Sequence, residues 1–191
     1  MPLDSKRMTY SDKTCFVITG FGKKKDRDTS RILDLDKTFK YLIQPVFNEL
    51  GMTCNRASEL VHNRIIDVPM YEQILQADVV VADISTLNPN AIYELGVRHA
   101  LRPHSTIIIA EDQLTLPFDF SHNFVLHYTH MGDDIGMSAV EEFRPKLKAL
   151  VETILQSPAV DSPVYTYLQA LKPPEVAPSP KPSKLMARKK R

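Results

Sequence analysis

Short apolar runs alternate with amphipathic stretches along most of the chain. Residues 78–84 and 105–111 are continuous apolar runs rich in β-branched side chains, typical of strands buried on both faces of a parallel sheet. Other stretches carry apolar side chains at helical spacing. The pattern predicts strands at residues 15–20, 52–56, 78–84, 105–111 and 124–128, helices at 38–50, 65–76, 90–101 and 137–156, and a last segment at 164–171 that packs back on the body.

This alternation of strands and helices predicts an α/β fold. We expect an open, mostly parallel five-stranded sheet with helices on both faces, in the flavodoxin-like (Rossmann-like) order 2-1-3-4-5. In that order a crevice opens beyond the carboxyl ends of strands one and three. The loops at this point are residues 20–31 and 85–90, so a ligand is expected between them.

Composition and charge exclude several classes of protein. The 191 residues are 43% hydrophobic and 25% charged, with a formal net charge of +1, so no overall charge points to nucleic acid or membrane. Cys15 and Cys54 lack the spacing of a disulfide scaffold or a zinc site and fit a reducing cytoplasm. No run approaches the roughly 20 apolar residues of a membrane span, and the N-terminus does not resemble a signal peptide. We expect a cytoplasmic protein.

Residues 172–191 differ from the rest of the chain. They contain five prolines, and seven Lys or Arg against one acid. Such a segment predicts disorder and should be dispensable for folding. Its basic end, residues 188–191, is either solvated or contacts an acidic partner. The predicted organisation is a flexible N-terminus at 1–13, one α/β domain at 14–171 and a tail at 172–191.

The first crevice loop combines glycine with positive charge. Gly20 and Gly22 permit close approach of a ligand to the backbone, and Phe21 lies between them. Five basic side chains follow that would suit a phosphate group, namely Lys23, Lys24, Lys25, Arg27 and Arg31. The loop matches neither GxGxxG nor a P-loop, and a solvated, mobile loop is the alternative.

The second crevice loop lies between two carboxylates. Asp83 ends strand three, where it either meets the substrate or accepts hydrogen bonds from backbone amides. With Asn90 as the helix cap, Glu94 falls at the fourth helical position, not at the third, where a capping box needs it. The positive helix end would keep Glu94 ionised, as a nucleophile towards a sugar anomeric carbon or as a stabiliser of an oxocarbenium-like transition state. An ordinary first-turn acid is the alternative.

Four further residues complete the candidate substrate site. Ser85, Asn88 and Asn90 belong to the crevice loop. Arg98, four residues after Glu94, either forms an i,i+4 ion pair with it or orients a carboxylate or phosphate. The six histidines show no metal-ligand spacing, so no metal site and no cofactor are predicted.

These motifs resemble a known superfamily. ADVVVADIS, NPNAIYELGVRHAL and TIIIAE are similar to the nucleoside 2-deoxyribosyltransferase-like proteins over about residues 14–128. The resemblance implies that Glu94 of YELG forms a glycosyl-enzyme while the base leaves. TIR domains look similar here, which implies cleavage of the nicotinamide–ribose bond of NAD. NPNAIYELGVRHALRP, PFDF and DSPVYTYLQALKPP more closely resemble bacterial relatives of the N-terminal region of apoptosis-signal-regulating kinases.

Departures from the transferase pattern limit what the resemblance implies. Asn88 stands where the transferases carry an Asp that contacts the sugar, and Met70 stands at another acidic position. A general acid or base would have to be Asp83 or Asp67. The tail has no equivalent of the neighbouring subunit's C-terminus that completes the transferase site, so hydrolysis is favoured over base exchange.

Three functions are therefore expected as alternatives. The first is N-glycosidic cleavage of a nucleoside or nucleotide by a hydrolase. The second is a TIR-like NAD glycohydrolase acting as an effector in stress or phage defence, and the third is a non-catalytic nucleotide-sensing or scaffold domain. The expected partners are the small-molecule substrate and further copies of the chain. Helices 38–50 and 137–156 either pair across a two-fold axis or cover the sheet.

Overall fold

The computed structural model describes residues 9–26, 29–57, 67–120 and 122–175, and for residues 67–69 the backbone alone. The predicted site residue Arg27, the side chain of Asp67 and most of the predicted tail lie outside this description. The strands are β1 (Thr14–Ile18), β2 (Lys23–Lys25), β3 (Ile32–Asp34), β4 (Thr53–Arg56), β5 (Val79–Asp83), β6 (Thr106–Glu111) and β7 (Val125–Tyr128). The helices are α1 (Leu35–Thr38), α2 (Gln44–Glu49), α3 (Asp67–Gln76), α4 (Pro89–Leu101), α5 (Met137–Gln156) and α6 (Pro163–Tyr167), with a π-helical turn at Phe39–Ile43 and a 3₁₀ turn at Phe118–Phe120.

Five of the strands form one parallel sheet in the order β4-β1-β5-β6-β7. Numbered without the β2–β3 hairpin, this is the order 2-1-3-4-5, so the predicted fold class is confirmed. The central strands β5 and β6 are buried along their whole length. Helices cover both faces of the sheet, which explains why these two strands are continuous apolar runs.

Alternate side chains of the strands face two separate cores. Val79 and Val81 of β5 pack with the stretch from the π-helical turn through α2 and with α5. Val80 and Ala82 face the opposite way and pack with α3 and α4. Because successive side chains point to opposite faces of the sheet, the position of a residue at the end of a strand decides on which face its side chain lies.

The two strongly apolar helical segments are buried within the chain. Phe47 of α2 and Leu147 of α5 belong to the same core and lie against the same face of the sheet. Their apolar stripes therefore cover the sheet, the second of the two alternatives that the sequence leaves open. An assembly of several copies stays a prediction.

The predicted helix at 38–50 begins earlier, at Leu35, and contains a π-helical turn. Pro45 has no N–H, so it cannot donate to the carbonyl of Tyr41 four residues earlier. Arg144 of α5 supplies the missing donor, because its Nε lies 2.7 Å from the Tyr41 oxygen. The hydrogen bond from Arg144 therefore joins the π-helical turn to α5, and both lie on the same face of the sheet.

The predicted first loop contains a β-hairpin. Lys23–Lys25 pairs antiparallel with Ile32–Asp34, and Leu35 N–H donates to the Gly22 carbonyl at 3.1 Å. The hairpin leads directly into α1, above the carboxyl ends of the central strands. Within the described ranges, no helix is both long and apolar enough to cross a membrane.

Candidate functional site

The loops after β1 and β5 meet at the carboxyl edge of the sheet, as the strand order requires. Gly20 is buried between them: a Cβ at this position would lie 2.9 Å from Leu35 Cδ1 and 3.4 Å from Asn88 Nδ2. A side chain at this position would therefore require Leu35 to shift, so glycine suits the close approach of the two loops. The structure brings Gly20 and Asn88 together, as predicted for a shared crevice.

The β2–β3 hairpin presents positive charge beside this crevice. Lys23 and Lys25 are both exposed and, two residues apart on a strand, share one face of the hairpin. Phe21, in the preceding turn, is partly exposed and lies 5.6 Å from the Arg56 guanidinium. Lys23, Lys25 and Phe21 are therefore accessible to a ligand.

Arg31, unlike Lys23 and Lys25, forms its contacts with other residues of the protein. Its guanidinium forms an ion pair with Glu111 at 2.5 Å and donates to the His130 carbonyl at 2.6 Å. Glu111, at the end of β6, is fully buried and also accepts from the Gln113 N–H at 2.9 Å. Arg31 therefore neutralises a buried carboxylate and fastens the hairpin to the sheet.

Asp83 lies beside this ion pair in a buried polar cluster. Its Oδ1 accepts from the N–H and the hydroxyl of Ser85 at 3.0 and 2.5 Å, and its Oδ2 accepts from the Tyr128 hydroxyl at 3.0 Å. The Ser85 hydroxyl accepts from the Glu111 N–H at 2.8 Å, and Thr38 reaches the Tyr128 hydroxyl at 3.2 Å. Burial raises the pKa of Asp83, while the bonds from Ser85 and Tyr128 oppose that rise.

The cluster changes the predicted roles of two residues. Asp83 and Ser85 were expected to face a ligand, but both are buried and bonded to protein groups. Asp83 follows Val79 and Val81 in the strand alternation, so it lies on the face of α1 and α5, whereas α4 covers the other face. The structure therefore favours the alternative in which Asp83 organises the end of the strand.

The α4 helix begins one residue earlier than predicted, and its N-cap lies two residues earlier. Asn88, not Asn90, is its N-cap, because Asn88 Oδ1 accepts from the backbone N–H of Asn90 at 2.9 Å and of Ala91 at 3.4 Å. Pro89 fills the first helical position, where its missing N–H costs nothing. Glu94 is then the sixth helical residue, beyond the reach of any capping box.

Glu94 is the one predicted catalytic residue that the structure leaves chemically available. It is half-buried, and no residue in the described ranges forms a hydrogen bond or ion pair with it. Burial raises the pKa of Glu94 from 4.5 to about 7. The sequence predicted that the helix end keeps Glu94 ionised, but Glu94 lies beyond the first turn, where the charge of a helix end has faded, and burial opposes its ionisation.

Arg98 occupies the opposite edge of the sheet from the crevice. Its NH1 donates to the carbonyls of Ile74 and Ala77, at 2.8 and 3.2 Å, and both residues precede β5. Its remaining donors reach the carbonyls of His104 and Ser105 and the hydroxyl of Thr106, where β6 begins. All five guanidinium N–H groups are thus used. Neither predicted role, an ion pair with Glu94 or a substrate clamp, is seen, because the side chain ties the amino ends of two strands to α4.

Three residues that organise the crevice were missed as functional candidates by sequence reasoning. Tyr128 and Glu111 end their strands, and His130 follows β7. His130 accepts from the Gly132 N–H at 2.9 Å and lies 3.2 Å from the Asp34 carbonyl, so it links the β7 loop to the hairpin. The available signal was their position at the carboxyl ends of adjacent parallel strands.

Neither a protein-family model nor a curated protein matches this chain. The candidate site therefore rests on its own geometry and chemistry. That geometry has two parts: a half-buried carboxylate on α4 that has no partner among the described residues, and an exposed basic hairpin anchored by a buried polar cluster.

Arg98→Met tests whether Arg98 holds the fold. We expect it to lower the free energy of unfolding by about 3 kcal/mol or more, because several buried acceptors lose their donor. Arg102→Met is the matched control, since its Nε donates to the single carbonyl of Leu75, at 2.7 Å, and should cost about 1 kcal/mol. Urea unfolding measures both. Unchanged stability of Arg98→Met would contradict a structural role.

Proposed function

We propose that this protein hydrolyses the N-glycosidic bond of a nucleotide, with Glu94 as the nucleophile. The observation that carries the proposal is the half-buried carboxylate of Glu94, with a pKa of about 7 and no described protein partner. Structural acids in this protein behave differently, because Asp83 and Glu111 are each satisfied by several donors. A carboxylate with a perturbed pKa and no described partner is typical of a functional site, and Glu94 lies on α4, whose N-cap Asn88 borders the crevice.

The proposed reaction proceeds in two displacements. Ionised Glu94 attacks the anomeric carbon C1′, the C1′–N bond breaks, and its electron pair leaves with the base. Water then attacks C1′ of the glycosyl-enzyme, restores the Glu94 carboxylate and releases the sugar with a new hydroxyl and one proton. The partial burial of Glu94 weakens its hydration, which increases its reactivity once it is ionised.

The proton requirement of the leaving group distinguishes the possible substrates. A neutral nucleoside base leaves as an anion unless an acid protonates it, and Asp83, one of the acids predicted for this task, is buried on the other face of the sheet. The nicotinamide of NAD carries a positive ring nitrogen and leaves neutral without receiving a proton. This observation favours NAD, the TIR-like alternative, as the second candidate within the same reaction class.

The hairpin supports a phosphate-bearing substrate. Lys23 and Lys25 share an exposed face, and Gly20 brings this loop against Asn88 at the start of α4. Two neighbouring ammonium groups match the two charges of a pyrophosphate. Asp83, Ser85, Tyr128 and the Arg31–Glu111 pair would then act by positioning the hairpin and the α4 loop.

Glu94→Gln is expected to abolish release of the base. The amide cannot displace the base, so turnover should fall by 10³-fold or more, an order-of-magnitude expectation for a lost nucleophile. The assay incubates the protein with nucleosides, nucleoside monophosphates and NAD, and detects free base by chromatography. Glu141→Gln, at an exposed position of α5, is the matched control and should keep full activity.

The free energy of unfolding of Glu94→Gln at pH 8 should not fall below that of the wild type, because the amide avoids burying a charge. Full turnover by Glu94→Gln would contradict the enzymatic proposal, and a wild type inactive on the whole panel would favour a sensing or scaffold domain.

The activity should rise with pH. A carboxylate nucleophile works only when ionised, and burial raises the pKa of Glu94 to about 7. The kcat/KM for NAD should therefore increase tenfold per pH unit below about pH 6 and level off above about pH 8. Glu94 acting as a general acid would give the opposite slope, so a falling profile would exclude the nucleophile.

The double change Lys23→Glu and Lys25→Glu tests the phosphate site. We expect KM for a nucleoside monophosphate or NAD to rise about tenfold or more, because two attractive charges become repulsive. KM for the parent nucleoside should change less than about twofold. Lys172→Glu, also exposed but distant in the chain, serves as the control for reversing a surface charge away from the hairpin. Equal effects on nucleotide and nucleoside would show that the hairpin is only a solvated surface.

A further inference from the structure

A second cleft, separate from the crevice, lies at the β7 side of the sheet. It has a volume of about 810 Å³ and lies between the end of α5, α6 and residues 118–124. β7 pairs with β6 only from Ile108 onwards, so Thr106 and Ile107 lie where the edge of the sheet has no neighbouring strand. Asp161 accepts from the Thr106 N–H at 2.9 Å, which closes this edge to the addition of a strand.

The lining of the cleft is apolar and carries exposed aromatic rings. Phe118, Phe124 and Tyr167 are 79%, 71% and 72% exposed and all border the cleft, together with Val160. Large apolar groups gathered around one cleft are unusual on a protein surface and mark a place that another group covers.

The charge of the cleft restricts what can cover it. Among the described lining residues the carboxylates are Asp119 and Asp161, and no Lys or Arg lines the cleft. Burial raises the pKa of Asp161 to about 6, so this group still carries its charge at pH 7.5. The complementary occupant is an apolar segment with basic neighbours.

Residues 176–191 have this chemistry and can reach the cleft. They contain Leu185 and Met186, six Lys or Arg and no acid. Tyr167, in the cleft wall, precedes Leu185 by 18 residues, a span of up to about 60 Å when extended. This exceeds the width of a domain of this size, so the segment can fold back.

We propose that residues 176–191 dock into this cleft, with Leu185 and Met186 against its apolar wall and the basic side chains beside Asp119 and Asp161. Tethering makes a weak contact sufficient, because attachment to the same chain gives an effective concentration on the order of 1 mM. A segment that binds as a free peptide with a Kd of about 0.1 mM would then be docked about 90% of the time. We expect folding not to need the contact, in keeping with the prediction that the tail is dispensable for folding.

Hydrogen–deuterium exchange of the full chain tests the docking. In Leu185→Asp/Met186→Asp, amides of residues 118–124 and 163–168 should exchange at least threefold faster than in the wild type. Asp119→Lys, an exposed change on the cleft side, should give the same acceleration by charge repulsion. Val176→Asp/Ala177→Asp places two acids in the same segment away from the proposed anchors and should leave both regions unchanged. Equal exchange in the wild type and in Leu185→Asp/Met186→Asp would overturn the proposal.

Two further results would also overturn the proposal. Protection that increases with protein concentration, with a doubled mass in light scattering, would show that a second copy covers the cleft. Acceleration by the Val176→Asp/Ala177→Asp control as large as that by Leu185→Asp/Met186→Asp would show a general effect of charge. Retained base release in all variants would confirm that this cleft and the Glu94 site are independent.

Discussion

The Arg31–Glu111 ion pair is the contact on which the crevice depends. Glu111 is fully buried at the carboxyl end of β6, and an unpaired carboxylate there would cost several kcal/mol. Its partner, Arg31, lies 80 residues earlier in the chain, within the loop of the β2–β3 hairpin. The ion pair therefore holds the hairpin against the sheet. The same guanidinium holds the His130 carbonyl, and His130 in turn contacts the Asp34 carbonyl at the end of the hairpin. One electrostatic requirement thus places the basic surface beside the crevice.

Two carboxylates of this region are buried to different degrees and differ in their hydrogen-bond partners. Burial raises the pKa of both Asp83 and Glu94. Asp83 has three donors from Ser85 and Tyr128, so its carboxylate is held in one place and covered. Glu94 lies on the other side of the sheet without a described partner, so its charge is stabilised by nothing that the structure shows. A carboxylate that accepts several hydrogen bonds from the protein maintains structure, whereas one without donors is available to react with a substrate. This contrast supports the proposed role of Glu94.

The two edges of the sheet perform different tasks. At the amino edge, Arg98 gathers the carbonyls that precede β5 and β6, and its pKa falls to about 10 because the guanidinium is buried among them. At the carboxyl edge, the buried Arg31–Glu111 pair and the Asp83–Ser85–Tyr128 cluster anchor the elements around the crevice. Buried polar contacts therefore hold both edges of the sheet, and Glu94 on α4 takes part in none of those that the structure describes.

The sequence by itself determined the parts that depend on local patterns. Continuous apolar runs predicted β5 and β6, helical spacing predicted α4 and α5, and the order of elements predicted the strand order, because periodicity is a property of neighbouring residues. Motif and spacing also singled out Glu94. Only the tertiary structure decided the partners of the charged residues: Arg31 with Glu111, Tyr128 with Asp83 across 45 residues, and Arg98 with carbonyls at the far edge. Those partners depend on which strand ends meet and which face each side chain takes, and no local pattern contains that information.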